Sequence, residues 1–235
     1  MPCIHRFSPS DHECYVRCDE CGSYRSTVTV PPEQIYTADY WNGVDRSTLA
    51  DQVYNVDGHL EGGQTKADFV MERIQFSEWA LEIGCAPGVM LKRLKQAGFR
   101  HVFGMETNES WESDIREVSG PDVNIVFGFF PPYISGVSGQ WFDLILALDI
   151  LEHVADPEAF IAECARLLKP GGQLFIMTPM PSHVVELPER MWNSVEHVWL
   201  HSHRHIMTLL RDSGFTDFTF DRWVAGHETA SARKL

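Results

Sequence analysis

Hydrophobic and polar residues follow two different periods along the middle of the chain, and each change of period marks a predicted element. The apolar run Trp79–Ile83 has the length of a buried strand and breaks into a glycine-rich stretch, Gly84–Gly88. In Val89–Leu94 the apolar residues follow the spacing of one helix face, and a second apolar run, His101–Glu106, comes next. This succession predicts a β-α-β unit with a right-handed crossover and a nucleotide-like ligand above the strand ends.

The two periods repeat through the rest of the chain and predict an α/β fold: a Rossmann-like, doubly wound, mostly parallel sheet with helices on both faces. Asp156 and Ser202 are expected N-caps of helices, and Lys169–Gly172 is expected to end the first of these helices. The segment after Trp223 is short and polar, so we expect the last strand of the sheet to be missing or misplaced. The other predicted elements are helices over Lys66–Ile74 and Trp111–Val118 and strands over Val123–Phe127, Phe142–Leu148, Gln173–Met177 and Phe215–Trp223.

The glycine-rich turn and the acidic residue at the tip of the second strand indicate the kind of ligand. The turn reads Gly-Cys-Ala-Pro-Gly, which differs from the G-x-G-x-x-G of a dinucleotide site. A carboxylate at Glu106 can accept hydrogen bonds from both hydroxyls of a ribose. Glu82, Gly84 and Gly88 match motif I, E-x-G-x-G-x-G, and Ala86 takes the place of the middle glycine. The stretch thus resembles the class I S-adenosylmethionine-dependent methyltransferases.

A second stretch, Phe142–Pro179, resembles motifs IV to VI of the same superfamily. It reads F-D-x-I-x-x-x-D-I-L-E-H-V-x-D-P, a predicted helix, and then L-L-K-P-G-G-x-L-x-I-x-x-P. The resemblance implies S-adenosylmethionine as cofactor, with the ribose on Glu106 and the adenine near Phe129 and Phe130, whose alternative role is core packing. The cofactor-binding residues that it implies are Glu82, Gly84, Cys85, Ala86, Gly88, Glu106, Thr107, Phe129, Phe130 and Asp149, with Tyr36 and Trp41 from an earlier aromatic segment.

The segment Asp149–His153 lies where the fourth strand opens toward the transferred methyl group, so acceptor chemistry is expected there. Methyl transfer needs an aligned acceptor with a lone pair, and a base helps when the acceptor is a hydroxyl or an acidic carbon. Histidine suits that role, so His153 is the candidate base, with His197 a further candidate. Asp149 or Glu152 would orient His153 or contact the amino group of the cofactor. The alternative is that His153 only caps the loop.

A metal ion is a further possibility in this segment. Asp149, Glu152 and His153 resemble the Glu-x-x-Glu-His cluster with which some ubiquinone-pathway O-methyltransferases and small-RNA 2′-O-methyltransferases hold a divalent ion. A fourth ligand would come from His197, His201 or His203.

Charge narrows the range of partners. The 235 residues carry 19 Lys and Arg against 33 Asp and Glu, for a net charge of −14. This balance argues against a broad surface that follows phosphates, so a small-molecule acceptor is favoured over nucleic acid. The sequence shows no signal-peptide pattern and no apolar run of membrane-spanning length. We therefore expect a soluble, cytoplasmic protein without a membrane partner, and leave open whether it is a monomer or a dimer.

Cysteines concentrate at the start of the chain. In a reducing compartment, Cys18-Asp-Glu-Cys21 is more typical of a metal knuckle than of a disulfide framework. Zinc would need two further ligands, and the candidates are Cys3, His5, His12 and Cys14. We predict a small zinc-ribbon-like arm with a structural Zn²⁺ on Cys3, His5, Cys18 and Cys21; the alternative is a flexible arm with unliganded thiols.

Three segments follow from these patterns: the arm at 1–30, an aromatic linker with N-terminal helices at 31–78, and the methyltransferase domain at 79–235. A zinc-ribbon start, a Tyr-x-x-x-Tyr-Trp segment and motif I in this order resemble bacterial methyltransferases that modify sugars, lipids or small metabolites. In those enzymes the aromatic segment often lies over the cofactor pocket. Tyr36, Tyr40 and Trp41 form it here, and packing of the linker is their alternative role.

The segment Glu196-His197-Val198-Trp199, followed by a predicted helix and Gly214-Phe215, resembles the acceptor-side segment of the same enzymes. We expect His197 to face the pocket and His201, His203 and His205 to be solvated at the start of a helix. The predicted function is methyl transfer to a small metabolite, sugar or lipid-precursor acceptor. The alternatives are a nicotinamide oxidoreductase and a non-catalytic binding protein that keeps the fold and docks a partner through the arm.

Overall fold

The computed structural model describes residues 4–28, 30–35, 65–130, 139–181, 187, 192, 195–224 and 226–235. The strands in these ranges are β1 (Phe7–Pro9), β2 (Tyr15–Cys18), β3 (Tyr24–Ser26), β4 (Trp79–Ile83), β5 (His101–Glu106), β6 (Asn124–Phe127), β7 (Phe142–Leu148), β8 (Leu168–Pro179), β9 (Trp199–Leu200), β10 (Phe215–Val224) and β11 (His227–Lys234). The α-helices are α1 (Pro32–Ile35), α2 (65–71), α3 (Val89–Gln96), α4 (Glu112–Ser119), α5 (Pro157–Leu167) and α6 (His203–Asp212), with 3₁₀ turns at Glu109–Trp111 and Leu151–His153.

The main sheet has seven strands in the order β10-β11-β8-β7-β4-β5-β6. Strand β5 runs parallel to both β4 and β6, while β11 runs antiparallel to both β8 and β10. The predicted mixed α/β fold with a mostly parallel sheet is therefore confirmed.

Strand β11 corrects the expectation that the last strand would be missing or misplaced. It pairs along its length with β8 and β10, so that Ala230 faces Ile176 on one side and Phe220 on the other. Its first residues are buried even though His227, Glu228 and Thr229 are polar. Because both edges of the strand are hydrogen-bonded, pairing of the backbone stabilises it without the apolar run on which the sequence prediction relied.

The ends of the helices follow from local side-chain chemistry. The Asp156 carboxylate accepts a hydrogen bond from the N–H of Ala159 at 2.9 Å, and the Ser202 hydroxyl accepts one from the N–H of His205 at 3.2 Å, so both predicted N-caps are confirmed. Helix α5 ends at Leu167, just before the expected stop at Lys169–Gly172. Strand β8 begins at Leu168, so these four residues already belong to it, whereas the sequence predicted the strand from Gln173.

The chain divides into two compact units. The first contains Met1–Val30, Gly139–Trp141 and Ala147–Leu235; the second contains Pro31–Ser138 and Phe142–Leu146. Large side chains that are almost fully buried form a core in each, including Phe160 and Phe175 in the first and Leu81, Leu91 and Ile115 in the second. No helix in the described ranges is long and apolar enough to cross a membrane.

The N-terminal arm belongs to the first unit. Strands β1, β2 and β3 form an antiparallel sheet that β9 extends, with Tyr24 opposite Leu200 and Arg25 opposite Trp199. Tyr15 and Leu200 share a buried cluster, against which Tyr24 packs. The described part of the arm is therefore folded against the segment that carries the acceptor-side histidines.

Candidate functional site

The turn between β4 and α3 is closed by backbone hydrogen bonds. The N–H groups of Gly84 and Cys85 donate to the Met105 carbonyl at 2.8 and 3.1 Å, and that of Gly88 donates to the Cys85 carbonyl at 2.7 Å. Gly88 has a φ of +99°, and a Cβ there would lie 3.1 Å from the Ile115 carbonyl oxygen. Only glycine combines this conformation with so close an approach, which explains its place at the start of α3.

The Glu106 carboxylate at the end of β5 is held in one orientation. Its Oε1 accepts hydrogen bonds from the Thr107 N–H at 2.7 Å, the Thr107 hydroxyl at 3.1 Å and the Asn108 N–H at 3.1 Å. Its Oε2 accepts one from the Ala86 N–H at 3.3 Å. An ionised carboxylate has about four acceptor positions, so Oε2 keeps capacity for a further donor. The side chain is buried, and Ala86 and Thr107, both named from the sequence, contact it directly.

Glu82 lies at the end of β4, and its Oε2 has no hydrogen-bond partner among the residues that the structure describes. Burial raises the pKa of this carboxyl well above its usual range, Glu106 adds to the rise, and Lys66 opposes it. A buried acceptor without a partner is stabilised when a donor or a cation comes beside it. Glu82 and Glu106 together therefore fit a ligand with a cationic group and a ribose, as S-adenosylmethionine has.

Gly104 is a residue that the sequence prediction missed. A Cβ at this position of β5 would lie 2.6 Å from the Cys85 sulfur and 2.8 Å from Leu91 Cδ1, so the strand must have glycine there. The Cys85 thiol therefore packs against β5, which leaves its backbone as the part of Cys85 that can face a ligand. A glycine inside a predicted strand is a signal of close approach that could have identified Gly104.

The residues predicted to contact the adenine come shortly after the end of β6 in the chain. The Gly128 N–H donates to the Glu106 carbonyl at 2.8 Å, and Phe129 and Phe130 come directly after it. The Phe129 side chain is 40% exposed, so core packing does not explain its position. Tyr36 and Trp41, predicted to cover the cofactor, lie outside the described residues.

In the first unit, Glu152 lies in the 3₁₀ turn after β7 and is 1% exposed. Its Oε2 accepts a hydrogen bond from the Thr178 hydroxyl at 2.7 Å. Burial and the neighbouring Asp149 raise the pKa of Glu152 to about 7, against the opposing effects of His197 and Thr178. Asp149 itself has a left-handed φ of 57°, and its Oδ1 lies 3.6 Å from Nε2 of His227.

One ring nitrogen of His153 is hydrogen-bonded to a backbone carbonyl. Its Nδ1 lies 2.9 Å from the Glu196 carbonyl oxygen, and because a carbonyl only accepts, we assign the proton to Nδ1. Burial, and then the neighbouring His197, lower the pKa of His153 to about 4. Its Nε2 therefore carries a lone pair at neutral pH. The His153 and His197 rings are 5.0 Å apart, and ligand atoms of Glu152, His153 and His197 lie within 4.8 Å of one another.

Three of the predicted zinc ligands meet in the arm. Nδ1 of His5 lies 3.4 Å from the Cys18 sulfur and 3.8 Å from the Cys21 sulfur. Burial raises the pKa of Cys18, but hydrogen bonds from the Cys21 backbone, His5 and the Glu20 backbone outweigh it and lower the pKa to about 6. A thiolate is the form that binds a metal, so this donor set fits zinc.

Two other candidate ligands lie elsewhere, and one falls outside the described residues. The His12 ring stacks on Trp192 with centroids 3.3 Å apart. Cys14 is exposed and has a φ of 67° in the turn before β2. Cys3 lies outside the described residues.

Two of the acceptor-side histidines, His201 and His205, correct the sequence prediction. The sequence suggested that the side chains of His201 and His205 are solvated, but they are buried, with 0% and 1% exposed. His197, which was expected to face the pocket, is 9% exposed. His203 is partly exposed and pairs with Glu228. Helix α6 begins with its apolar face against the core, and His205 lies on the same face as Ile206 and Leu209.

Comparison with known proteins identifies the family. A sequence model of the family described as "Methyltransferase domain" matches residues 66–219, and the chain belongs to this family of class I S-adenosylmethionine-dependent methyltransferases. Two ubiquinone biosynthesis O-methyltransferases are similar to part of it. That of Parvibaculum lavamentivorans is 31% identical over 98 residues, which cover 42% of this chain and 39% of the relative. That of Aromatoleum aromaticum is 34% identical over 101 residues, which cover 42% of each. The chain thus spans about two fifths of the length of these relatives.

Solved structures show the same fold at lower identity. An O-methyltransferase family protein from Burkholderia thailandensis matches with a TM-score of 0.66 and 16% identity, over 85% of this chain and 63% of that one. A chain of the complex between the Haloferax volcanii Trm112 methyltransferase activator and a methyltransferase matches with a TM-score of 0.64 and 16% identity, over 76% of this chain and 92% of that one. These identities show the shared fold and no more.

Proposed function

We propose that this protein transfers a methyl group from S-adenosylmethionine to a small metabolite, sugar or lipid-precursor acceptor, at an oxygen atom. The observation that carries the proposal is the Glu106 carboxylate, which is fixed by four hydrogen bonds and still has acceptor capacity at Oε2. Membership of the family supports the cofactor, and the relatives named as O-methyltransferases support oxygen as the acceptor atom.

The second unit supplies the residues that would hold the cofactor. Glu106 would accept from the ribose hydroxyls, the Gly84–Gly88 backbone would line the methionine end, and Glu82 would face its ammonium group. Phe129 and Phe130 would contact the adenine. When bound, S-adenosylmethionine supplies a sulfonium-bound, electrophilic methyl group.

The first unit supplies the residues for the acceptor. Nε2 of His153 carries a lone pair, because Nδ1 is occupied by the Glu196 carbonyl, and it would accept the proton of an acceptor hydroxyl. The pKa of about 4 makes His153 a weak base at neutral pH, so alignment of the acceptor would contribute more than proton removal. Asp149 and His197 are the groups that would orient the acceptor and His153.

A metal-assisted reaction is the second candidate, and the Glu152–His153–His197 cluster favours it. Neutral histidine and a carboxylate are ligands for divalent ions, and these three residues place one ligand atom each within 4.8 Å of the others. Activity lost on chelation and restored by Fe²⁺ or Mn²⁺, ions that accept a mixed imidazole and carboxylate ligand set, would support this candidate over His153 acting alone. Activity that is unchanged in chelator would exclude it.

Calorimetric titration with S-adenosylmethionine and S-adenosylhomocysteine tests the cofactor site. We expect micromolar binding, about −8 kcal/mol, in the wild type and its loss in Glu106→Ala and Glu106→Gln. Glu117→Ala, which removes an exposed carboxylate from α4, is the matched control and should bind as the wild type does. Absence of binding in the folded wild type would contradict the proposal and favour a non-catalytic binding protein instead.

We also propose that the arm binds a structural Zn²⁺ through His5, Cys18 and Cys21, with Cys3 as the expected fourth ligand. The support is the meeting of these three side chains and the lowered pKa of Cys18. Ligands of this type need reduced thiols, in accord with a cytoplasmic location. Zinc content near one per chain, lost in Cys18→Ser with Cys21→Ser, would support the site; a zinc-free wild type would exclude it.

A further inference from the structure

Buried histidines connect the arm to the turn that carries Glu152 and His153. His205, on α6, has its ring edge-on to His5, with centroids 4.7 Å apart, and its centroid lies 4.9 Å from that of His201. Nδ1 of His205 lies 3.0 Å from Nδ1 of His201, and Nε2 of His201 lies 3.3 Å from the Leu151 carbonyl oxygen. All these residues belong to the first unit.

Chemistry fixes the direction of these hydrogen bonds. The Leu151 carbonyl only accepts, and it has a second acceptor position beside the one used by the Val154 N–H, so the His201 Nε2 must donate. His201 is fully buried, where a neutral imidazole with one ring proton is favoured, so its Nδ1 accepts. His205 must therefore donate from Nδ1, which leaves its Nε2 as an acceptor.

The acceptor that remains is Nε2 of His205, and the neighbouring residue that can supply its donor is His5. Nε2 of His205 is buried and has no hydrogen-bond partner among the described residues, and a buried acceptor needs a donor. One nitrogen each of His5 and His205 and one carboxylate oxygen of Glu158 lie within 4.8 Å of one another, and no hydrogen bond joins Nε2 of His205 to His5 in this structure. A His5 ring that binds zinc through Nδ1, the nitrogen beside Cys18 and Cys21, carries its proton on Nε2 and is the donor that His205 lacks.

We propose that His205 and His201 form a relay of neutral imidazoles from the metal knuckle to the Leu151 carbonyl. The relay fixes His5 with Nδ1 toward the metal, and it holds the 3₁₀ turn that presents Glu152 and His153. His205 and His201 are thus positioning residues, and metal in the arm supports the acceptor side. The inference rests on the proposed zinc site and is independent of cofactor binding.

Tautomers measured on zinc-loaded wild-type protein test the relay directly. Long-range ¹H–¹⁵N spectra of protein labelled with ¹⁵N-histidine report which ring nitrogen of each histidine carries the proton. We expect Nε2–H for His201, Nδ1–H for His205 and Nε2–H for His5. Nδ1–H on His201 or Nε2–H on His205 would overturn the proposal, and this readout needs no variant to fold.

Zinc affinity tests the same relay from the metal side. Competition with a chromophoric chelator should show that His205→Leu binds zinc about 10- to 100-fold more weakly than the wild type, as is typical when the outer partner of a ligand is lost. His203→Leu, on the same helix but paired with Glu228, is the control and should keep wild-type affinity. Equal affinity of His205→Leu and wild type would overturn the relay alone. A wild type that takes up no zinc would overturn the knuckle as well, while S-adenosylmethionine binding would be unaffected in either case.

Discussion

Two buried carboxyl groups have different surroundings, and the difference separates their roles. Glu106 accepts hydrogen bonds from backbone N–H groups of Ala86, Thr107 and Asn108, which hold it as a fixed acceptor. Glu152 is 1% exposed and has the Thr178 hydroxyl as donor. One carboxyl is thus arranged for ligand binding, and the other changes its protonation in the physiological range.

Glu152→Gln should change how stability depends on pH. The folded-state pKa of about 7 lies above the usual value of 4.5, so the contribution of Glu152 is fully present below pH 4.5 and is lost as pH rises through 7. Glutamine does not ionise, so the variant should gain up to roughly 3 kcal/mol relative to wild type between pH 4.5 and 8. Urea unfolding at both pH values measures this. Glu117→Gln, an exposed position on α4, should show the same difference from wild type at both pH values. A Glu152→Gln difference that does not vary with pH would contradict the assignment.

At the scale of elements, strand β9 joins the arm to the acceptor side. The Ser26 N–H donates to the Val198 carbonyl at 2.9 Å, and the Tyr15 hydroxyl donates to the His197 carbonyl at 2.9 Å. The Ser202 hydroxyl, an N-cap of α6, donates to the Cys21 carbonyl at 2.6 Å. These bonds tie the knuckle to the backbone that positions His197.

Removal of zinc should loosen β3 and β9 together. Their two-residue pairing is short, and the knuckle orders the chain on which it depends, so their amides should exchange faster once the metal is gone. Hydrogen exchange with mass spectrometry, with and without chelator, measures this. Strands β4 and β5, in the second unit, serve as the internal control and should keep their protection. Unchanged exchange in β3 and β9 would show that the arm folds without metal.

At the scale of the whole molecule, the net charge of −14 restricts what the protein can bind. A surface with this excess of carboxylates repels polyanions over a distance of about a Debye length, roughly 10 Å at 0.1 M salt. A small, uncharged or cationic acceptor is not penalised in the same way. The charge therefore agrees with the proposed small-molecule acceptor.

No binding to RNA is expected even at low salt. Fluorescence anisotropy with labelled single-stranded and duplex RNA at 50 mM salt should show no increase up to tens of micromolar protein, because few phosphates can be neutralised. A basic protein of similar size provides the positive control. Binding that weakens steeply with added salt would contradict the prediction and reopen nucleic acid as the acceptor.

Local patterns in the sequence are enough to predict the β-α-β unit, the acidic residue at the end of β5, the family and the N-caps at Asp156 and Ser202. These features depend on contacts between residues close in the chain, such as the Asp156 carboxylate and the Ala159 N–H three residues later. Local periodicity and capping chemistry report such contacts directly.

Long-range contacts set the position of β11, the need for glycine at 104 and the burial of His201 and His205. Each depends on partners far along the chain: β8 and β10 satisfy both edges of a polar strand, the Cys85 sulfur occupies the space beside Gly104, and His5 lies against His205. A polar residue looks solvated in sequence, whereas in the fold distant donors and acceptors can satisfy it and allow its burial.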